Sequence, residues 1–363
     1  MKIILVRSRS LNSNPDKIAE FLIEKGYKVS LLLWDRQDNY SNEKLNRFVN
    51  RFRLKAPYDE IKIVFYHPFW LFYQFIFLLK DDSDIVHAAD LDTLFPAFLI
   101  KFIKGKTLYY TIYDFYADNL PHYFPKFFVS FVASTERFLI NYVDHLFLVD
   151  ESRYEQVKSC NIKKLSYIYN SPVDCYDEKL QTTKKNYTVL FYAGVLHESR
   201  GLKNVIELIT AMDNIKLIFA GDGPLKSQIK HLDSSNDKFM YLGVISYDEV
   251  LKRTSESDII FAFYDPAIGN NKYASPNKLF EAMMLAKPII VNDNSSMSDI
   301  VKKYNCGIVV PYGDIEAIKK AIIQLIDNPQ MGYKLGQNGR IAYEKYYSWD
   351  IMQQRILNAY GGN

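Results

Sequence analysis

The sequence predicts two doubly wound α/β domains in succession. Three observations carry that expectation. The chain has 363 residues, about twice the ~150 of one ordinary domain. Short apolar runs alternate with longer helical patterns, as βα units do. The runs are rich in Ile, Leu and Val with little polar alternation, which suits parallel strands covered on both faces.

Taken in order, the strand segments of the first half are 2–6, 28–33, 62–65, 84–88, 107–112, 145–149 and 165–169. Those of the second half are 188–193, 216–220, 240–242, 259–263, 288–291 and 307–310. Helix-length segments between them include 15–25, 202–212, 275–285 and 315–326. The boundary falls after Tyr169, because Asn170-Ser171-Pro172 is turn chemistry and residues 181–186 are polar without periodicity. An N-terminal domain over 1–170 and a second domain from 171 follow from this, the second opening on the run TVLFYAG.

Composition narrows the function classes. With 48% hydrophobic and 24% charged residues, the chain buries a large core, which excludes disordered, collagenous and disulfide-stapled classes. A formal charge of +3 does not point to nucleic acid. Cys160, Cys175 and Cys306 lie far apart, without metal-ligand spacing, and read as reduced thiols. The N-terminal apolar run 3–6 is too short for a signal-peptide core. The most apolar stretch, 65–79, is broken by His67, Pro68 and Gln74, so the sequence predicts no spanning helix and a cytoplasmic protein. Eighteen of the 24 phenylalanines precede residue 171, leaving six for the second half. That excess has two readings: a bulky aromatic core, or, with Lys44, Arg47, Arg51, Arg53 and Lys55, a surface that rests on an anionic membrane.

Candidate chemistry concentrates in the second half. After Gly194 comes VLHESRGL, a turn entering a helix, where Arg200 offers a planar donor fork suited to phosphate. In FAGDGPL, Gly221 and Gly223 stand where a parallel strand ends and permit close backbone approach, to a ligand or within a tight turn. In YASPNKLFEAMM, Ser275 is expected as N-cap and Pro276 as first helical residue, so that the first turn, with Asn277 and Lys278, presents amides and positive charge. Glu281 lies among apolar neighbours, where an unpaired carboxylate is costly. In the first half, Asp90, Asp92, Tyr113 and Asp114 stand at expected strand ends, with Tyr116 close behind. For Asp90 and Asp92, helix capping is an equal reading.

The order GVLHESRGL, FAGDGPL, YLGVISYDEVLKRTSESDII, SPNKLFEAMMLAKPIIV, CGIVVPYGD resembles the retaining nucleotide-sugar glycosyltransferases of the GT-B fold, in particular the hexosyltransferases of capsule, exopolysaccharide and lipid-linked glycan synthesis. The first half fits through NPDKIAEFLIEKGYKVSLLLWDR, DIVHAADLDTL and YYTIYDFYADNLP, and YYSWDIMQQRILNAY resembles the family's closing helix. The resemblance implies two Rossmann-like domains facing a central cleft: 1–170 for the acceptor, 171–345 for the donor, and 346–363 crossing back to the first. It implies that Glu281 holds the ribose, Arg200 neutralises the diphosphate, and Val244 and Ile245 meet the base. It further implies a retaining sugar transfer without metal or cofactor, from a nucleoside-diphosphate sugar to a glycan or polyprenyl-linked acceptor, at the inner face of the cell membrane if the first domain docks there. Asp90, Tyr113 and Asp114 are then expected near the reacting sugar, and Asp92 and Tyr116 near the acceptor. Three positions depart from the pattern: Tyr273 replaces the first glutamate of a pair, Val195 an arginine, and Tyr113 a histidine. The loop 7–14 also lacks the usual glycines. Those departures keep two alternatives open, a non-catalytic scaffold subunit and a nucleotide-sugar epimerase.

Overall fold

A computed structural model describes residues 1–9, 13–38, 40–56, 62–120, 124–177 and 186–361. Parts of the first loop and nearly all of the polar 181–186 stretch lie outside the described residues. The chain forms two compact units, one of Met1–Tyr169 with Gln353–Asn363, the other of Asn170–Met352.

The first unit runs β1 (Lys2–Arg7), α1 (Ser13–Glu24), β2 (Lys28–Trp34), β3 (Val49–Phe52), α2 (Ile63–Lys80), β4 (Ile85–Ala89), α3 (Leu91–Lys104), β5 (Thr107–Ile112), α4 (Lys126–Ile140), β6 (His145–Leu148), α5 (Tyr154–Val157) and β7 (Leu165–Tyr167). Among the described residues its seven strands pair in parallel in the order β3-β2-β1-β4-β5-β6-β7. The central strands are buried along most of their length, as Ile-, Leu- and Val-rich runs require. In the core under α2 and α3, Trp34, Trp70, Leu78, Val86, Leu94 and Tyr110 pack together.

The second unit runs β8 (Thr188–Ala193), α6 (Leu202–Thr210), β9 (Ile215–Ala220), α7 (Lys226–Ser235), β10 (Phe239–Tyr241), α8 (Tyr247–Glu256), β11 (Ile259–Ala262), α9 (Gly269–Lys272), α10 (Asn277–Met284), β12 (Ile289–Asn292), α11 (Ser296–Tyr304), β13 (Gly307–Val310), α12 (Ile315–Asp327) and α13 (Pro329–Ala342). The six strands described here are again parallel, in the order β10-β9-β8-β11-β12-β13. A last helix, α14 (Trp349–Tyr360), starts among the residues of the second unit and ends among those of the first.

Two expectations are corrected. Residues 62–65 are not a strand but the entry to α2, and the third strand is Val49–Phe52 inside the basic stretch. Residues 65–79 are not interrupted either: Pro68 sits in the second turn of one continuous 18-residue helix, where a missing N–H costs a single helical bond. By length and composition this helix is long and apolar enough to cross a membrane, with 17% of it buried. Its buried residues, Trp70, Gln74 and Leu78, recur every four positions and face the unit's own core. Gln74 Nε2 donates to the Asp92 carbonyl at 3.0 Å, and the Trp70 ring stacks on Trp34 and Phe52.

The end of α14 is tied to the first sheet by buried polar contacts. His87 Nδ1 meets the Tyr360 hydroxyl at 2.5 Å, and its Nε2 lies 2.6 Å from Thr111 Oγ1. Burial pulls the His87 pKa down to about 3, so the ring is neutral at physiological pH. Tyr109 Oη donates to the Ala359 carbonyl at 2.8 Å, and Arg355 to that of Tyr167 at 2.9 Å. Tyr360→Phe is therefore expected to leave a buried imidazole nitrogen without its partner and to cost about 1–3 kcal/mol. Urea denaturation followed by tryptophan fluorescence checks this, and an unchanged midpoint contradicts it.

Candidate functional site

In a parallel sheet every strand-to-helix loop leaves at the carboxyl edge, and ligand crevices form there. In the second unit that edge is unusually tight. A Cβ at Gly221 would fall 1.9 Å from the Gly194 carbonyl oxygen, and one at Gly223 2.6 Å from that of Leu196. Both residues have positive φ, 129° and 151°. The two glycines are thus needed for the loop after β9 to lie against the loop after β8, a closeness within the chain itself. A third loop, the one after β10, is bonded to the same place. Gly221 N donates to the Gly243 carbonyl at 2.7 Å, and the Tyr241 hydroxyl to the Gly221 carbonyl at 2.8 Å. Val244 is exposed at the rim beside these bonds, with Ile245 next to it half-buried.

Two cations reach the same edge. Lys278, in the first turn of α10, donates from Nζ to the Ala193 carbonyl at 2.9 Å, beside Gly194, and lies 4.5 Å over the Tyr192 ring. The Arg200 guanidinium stacks 3.8 Å over Tyr264 and donates to Asn271 Oδ1 at 3.2 Å. The charges of Arg200 and Lys278 oppose each other, and their hydrogen bonds go to neutral partners. Two like charges held in this way at helix entries are prepared for an anion.

The start of α10 differs from expectation. The helix begins at Asn277, Pro276 occupies the N-cap, and no side chain caps it. Proline cannot offer a capping oxygen, and Ser275 lies one residue too early to reach the first-turn amides. Its hydroxyl is buried without a hydrogen-bond partner, while its carbonyl accepts from Asn170 Nδ2 at 2.9 Å. One turn into the helix, Glu281 is 4% exposed and shares a hydrogen bond with the Tyr247 phenol, whose pKa is pushed up by burial and by that carboxylate. Lys278 and Glu281 line one narrow recess with Phe191, Ala193 and Thr254. Tyr273, half-buried, closes the short α9 and brings no carboxylate to this edge.

In the first unit the carboxyl edge is built around carboxylates. Asp90, at the end of β4, has φ 63° and ψ 165°, a region left almost wholly to glycine and costing about 1–3 kcal/mol. Its side chain does not cap α3. Oδ1 instead accepts from the backbone N–H of Tyr113 at 2.9 Å and of Asp114 at 3.2 Å. Burial, with Asp114 and Asp92 nearby, lifts the Asp90 pKa to about 7. Asp92 is buried, with Oδ1 unpartnered and Oδ2 3.7 Å from His67 Nε2, and it too leaves the helix uncapped. Asp114 pairs with the buried Arg153 at 3.1 Å. Tyr113 lines a narrow recess with Arg7, His87 and Thr111.

Sequence reasoning passed over Glu136 and Arg153, which hold this loop from behind. Glu136, fully buried on α4, accepts from the Tyr110 hydroxyl at 2.7 Å and from Tyr116 N at 3.0 Å. The signal available was a lone acid inside the apolar helical pattern FFVSFVASTERFLI. Likewise Tyr264 and Asn271, which seat Arg200, and Tyr247, which meets Glu281, carry no motif of their own.

Burial pushes the Glu136 pKa up to about 8 against its two hydrogen bonds, with Asp90 and Asp118 adding to the rise. The folded state therefore keeps a proton that the unfolded chain has released, from the ordinary carboxyl range up to about pH 8. Through that window, stability falls as pH rises. In Glu136→Gln the side-chain amide can meet both Tyr110 and Tyr116 without a titrating proton, so this substitution is expected to flatten the fall. The stability difference between variant and wild type should grow from pH 5 to pH 8 by on the order of 1 kcal/mol or more. Thermal melts across that range check the slope, and parallel curves contradict it.

Comparison with known proteins supplies the family. Residues 16–173 match the family described as Glycosyltransferase Family 4, and residues 176–342 that described as Glycosyl transferases group 1. A GDP-mannose-dependent monoacylated alpha-(1-6)-phosphatidylinositol monomannoside mannosyltransferase of Corynebacterium glutamicum is 26% identical over 208 residues, 55% of this chain and 50% of that one. The capsular polysaccharide biosynthesis glycosyltransferase CapM of Staphylococcus aureus is 25% identical over 195 residues, 51% of this chain and 48% of that one. The chain thus spans about half the length of the curated relatives it matches. Among solved structures, the sucrose-phosphate synthase of Thermosynechococcus elongatus superposes with a TM-score of 0.80 at 14% identity, over 99% of this chain and 98% of that one. HepE of Anabaena, in complex with UDP and glucose, superposes with a TM-score of 0.74 at 15% identity, over the whole of both chains. With one family match on each parallel-sheet unit and the same fold in these structures, the chain belongs to the GT-B glycosyltransferases.

Proposed function

We propose that this protein transfers a sugar from a nucleoside-diphosphate donor to a hydroxyl of a glycan or polyprenyl-linked acceptor, with retention of configuration. The observation that carries the reading is the carboxyl edge of the second sheet. There Arg200 and Lys278 are bonded to neutral groups, near a buried and unpartnered Ser275 hydroxyl and the uncapped start of α10. A diphosphate supplies negative charge for the two cations beyond what Glu281 lends Lys278, and acceptor oxygens for the hydroxyl and the first-turn amides. The UDP of the HepE complex and the GDP-mannose of the corynebacterial relative's name are ligands of this class.

In this reading Glu281 accepts ribose hydroxyls, while Val244 and Ile245 border the base. As the glycosidic bond breaks, negative charge gathers on the leaving diphosphate. Arg200, Lys278 and the amides of Asn277 and its neighbours stabilise it, so the reading invokes no metal ion. The acceptor hydroxyl attacks from the face the diphosphate leaves, and a phosphate oxygen takes its proton. Asp90, held in a strained conformation with a pKa near neutrality, and Tyr113 and Asp114 beside it orient the transferred sugar. Asp92 and Tyr116 serve the acceptor.

Purified protein incubated with a panel of nucleoside-diphosphate sugars, with and without acceptor, tests the reading through nucleoside-diphosphate release. A scaffold subunit releases none, and an epimerase converts the donor without releasing it. Arg200→Ala is expected to lower turnover by about 10²–10³ while the melting temperature holds. Near wild-type turnover removes Arg200 from the site. Glu281→Gln is expected to raise the nucleotide dissociation constant with the acceptor constant unchanged, and equal calorimetric affinities for both proteins contradict its ribose role.

A further inference from the structure

We propose that the outer faces of α2, α3 and α4 form a docking surface for an anionic lipid bilayer, with phenylalanines entering the acyl boundary and lysines meeting the headgroups. Phenylalanines are common in cores, yet here many point outward. Phe65 and Phe72 on α2 are 75% and 68% exposed, and Phe127 and Phe131 on α4 are 76% and 66% exposed. Phe69 of α2, Phe95 and Phe102 of α3 and Phe138 of α4 are exposed as well. The three helices are neighbours, since α3 packs against both α2 and α4. Rings join them where α3 meets α4: Phe102 packs edge-on against Tyr142, and Tyr142 against Phe138. Exposed apolar surface on this scale marks an interaction site rather than ordinary scatter.

The charges choose the occupant. Asp92 and Glu136 are the only acids on the three helices, and both are buried. Lys80, Lys104 and Lys126 are exposed. The acids that follow α2, Asp81 and Asp82, are paired with Lys106 and Lys2. The face is therefore apolar with a positive fringe. A second copy meeting it face to face would set lysine against lysine. An anionic bilayer matches both properties, because phenylalanines sit at the headgroup boundary and lysines are drawn to its negative potential. The basic stretch 44–55 takes little part: Lys44, Arg51 and Arg53 already pair with Glu20, Asp35 and Asp38. The helix α2 lies along the surface in this arrangement, since its Trp70, Gln74 and Leu78 face is committed to the core.

Flotation of the full chain with phosphatidylcholine vesicles, with or without phosphatidylglycerol, at low and high salt, tests the surface. The protein is expected to float with the phosphatidylglycerol vesicles and to lose binding as salt rises. Phe65→Ser/Phe72→Ser and Phe127→Ser/Phe131→Ser are each expected to cut the bound fraction by roughly tenfold or more with the melting temperature unchanged, because these side chains support no core. Failure to bind phosphatidylglycerol vesicles at low salt overturns the proposal, as does binding that ignores both double variants. Sedimentation velocity that shows a dimer dissolved by the same substitutions, without vesicle binding, assigns the face to a second copy and also overturns it. No donor enters these measurements, so their failure leaves the proposed transfer standing, and failure of the transfer leaves the docking surface standing.

Discussion

Every strand pair among the described residues of both sheets is parallel, and this constraint places everything else. Parallel pairing obliges each strand to return through a crossover, so each sheet has one edge where the chain leaves the strands and one where it re-enters them. The candidate residues of each unit stand at the first kind of edge. Asp90 follows β4 and Asp114 follows β5, while Gly194, Gly221 and Val244 follow β8, β9 and β10. The strands themselves supply no chemistry. They fix how close the loops lie, and in the second unit that closeness reaches backbone against backbone at Gly221.

The two edges solve opposite electrostatic problems. The second unit gathers cations and tempers them with rings and carbonyls, as with Arg200 over Tyr264 and Lys278 over Tyr192. The first gathers carboxyls and tempers them by burial, which favours the neutral acid at Asp90 and Glu136. Arg153, itself buried, balances Asp114 directly. Such arrangements cost folding energy, and the strained backbone of Asp90 adds to that cost. Sites that bind charge commonly carry a cost of this kind, while the remaining core is made of ordinary apolar packing.

Much of the fold was legible because buried parallel strands write themselves as apolar runs, such as KIILV and TVLFYA. The exceptions have physical reasons. Val49–Phe52 is a half-buried edge strand whose VNRF sequence carries no apolar run, so it hid inside a basic segment. The aromatic start of α2 imitated a strand because periodicity cannot separate the two over four residues. At the candidate site, the places of Arg200, Lys278 and Glu281 were legible through the turns and helix starts that carry them. Tyr247 and Asn271 were not, because each acts by reaching a distant segment, and one-dimensional spacing does not record such contacts.

The first unit is not one stretch of chain. Its sheet is complete by Tyr169, yet His87 still lacks the partner that Tyr360 brings to it 273 residues later. On the ribosome, the second unit, continuous from Asn170 to Met352, is available to finish folding while the first remains open. The earlier-made unit thus closes around its buried imidazole only once Tyr360 has been made.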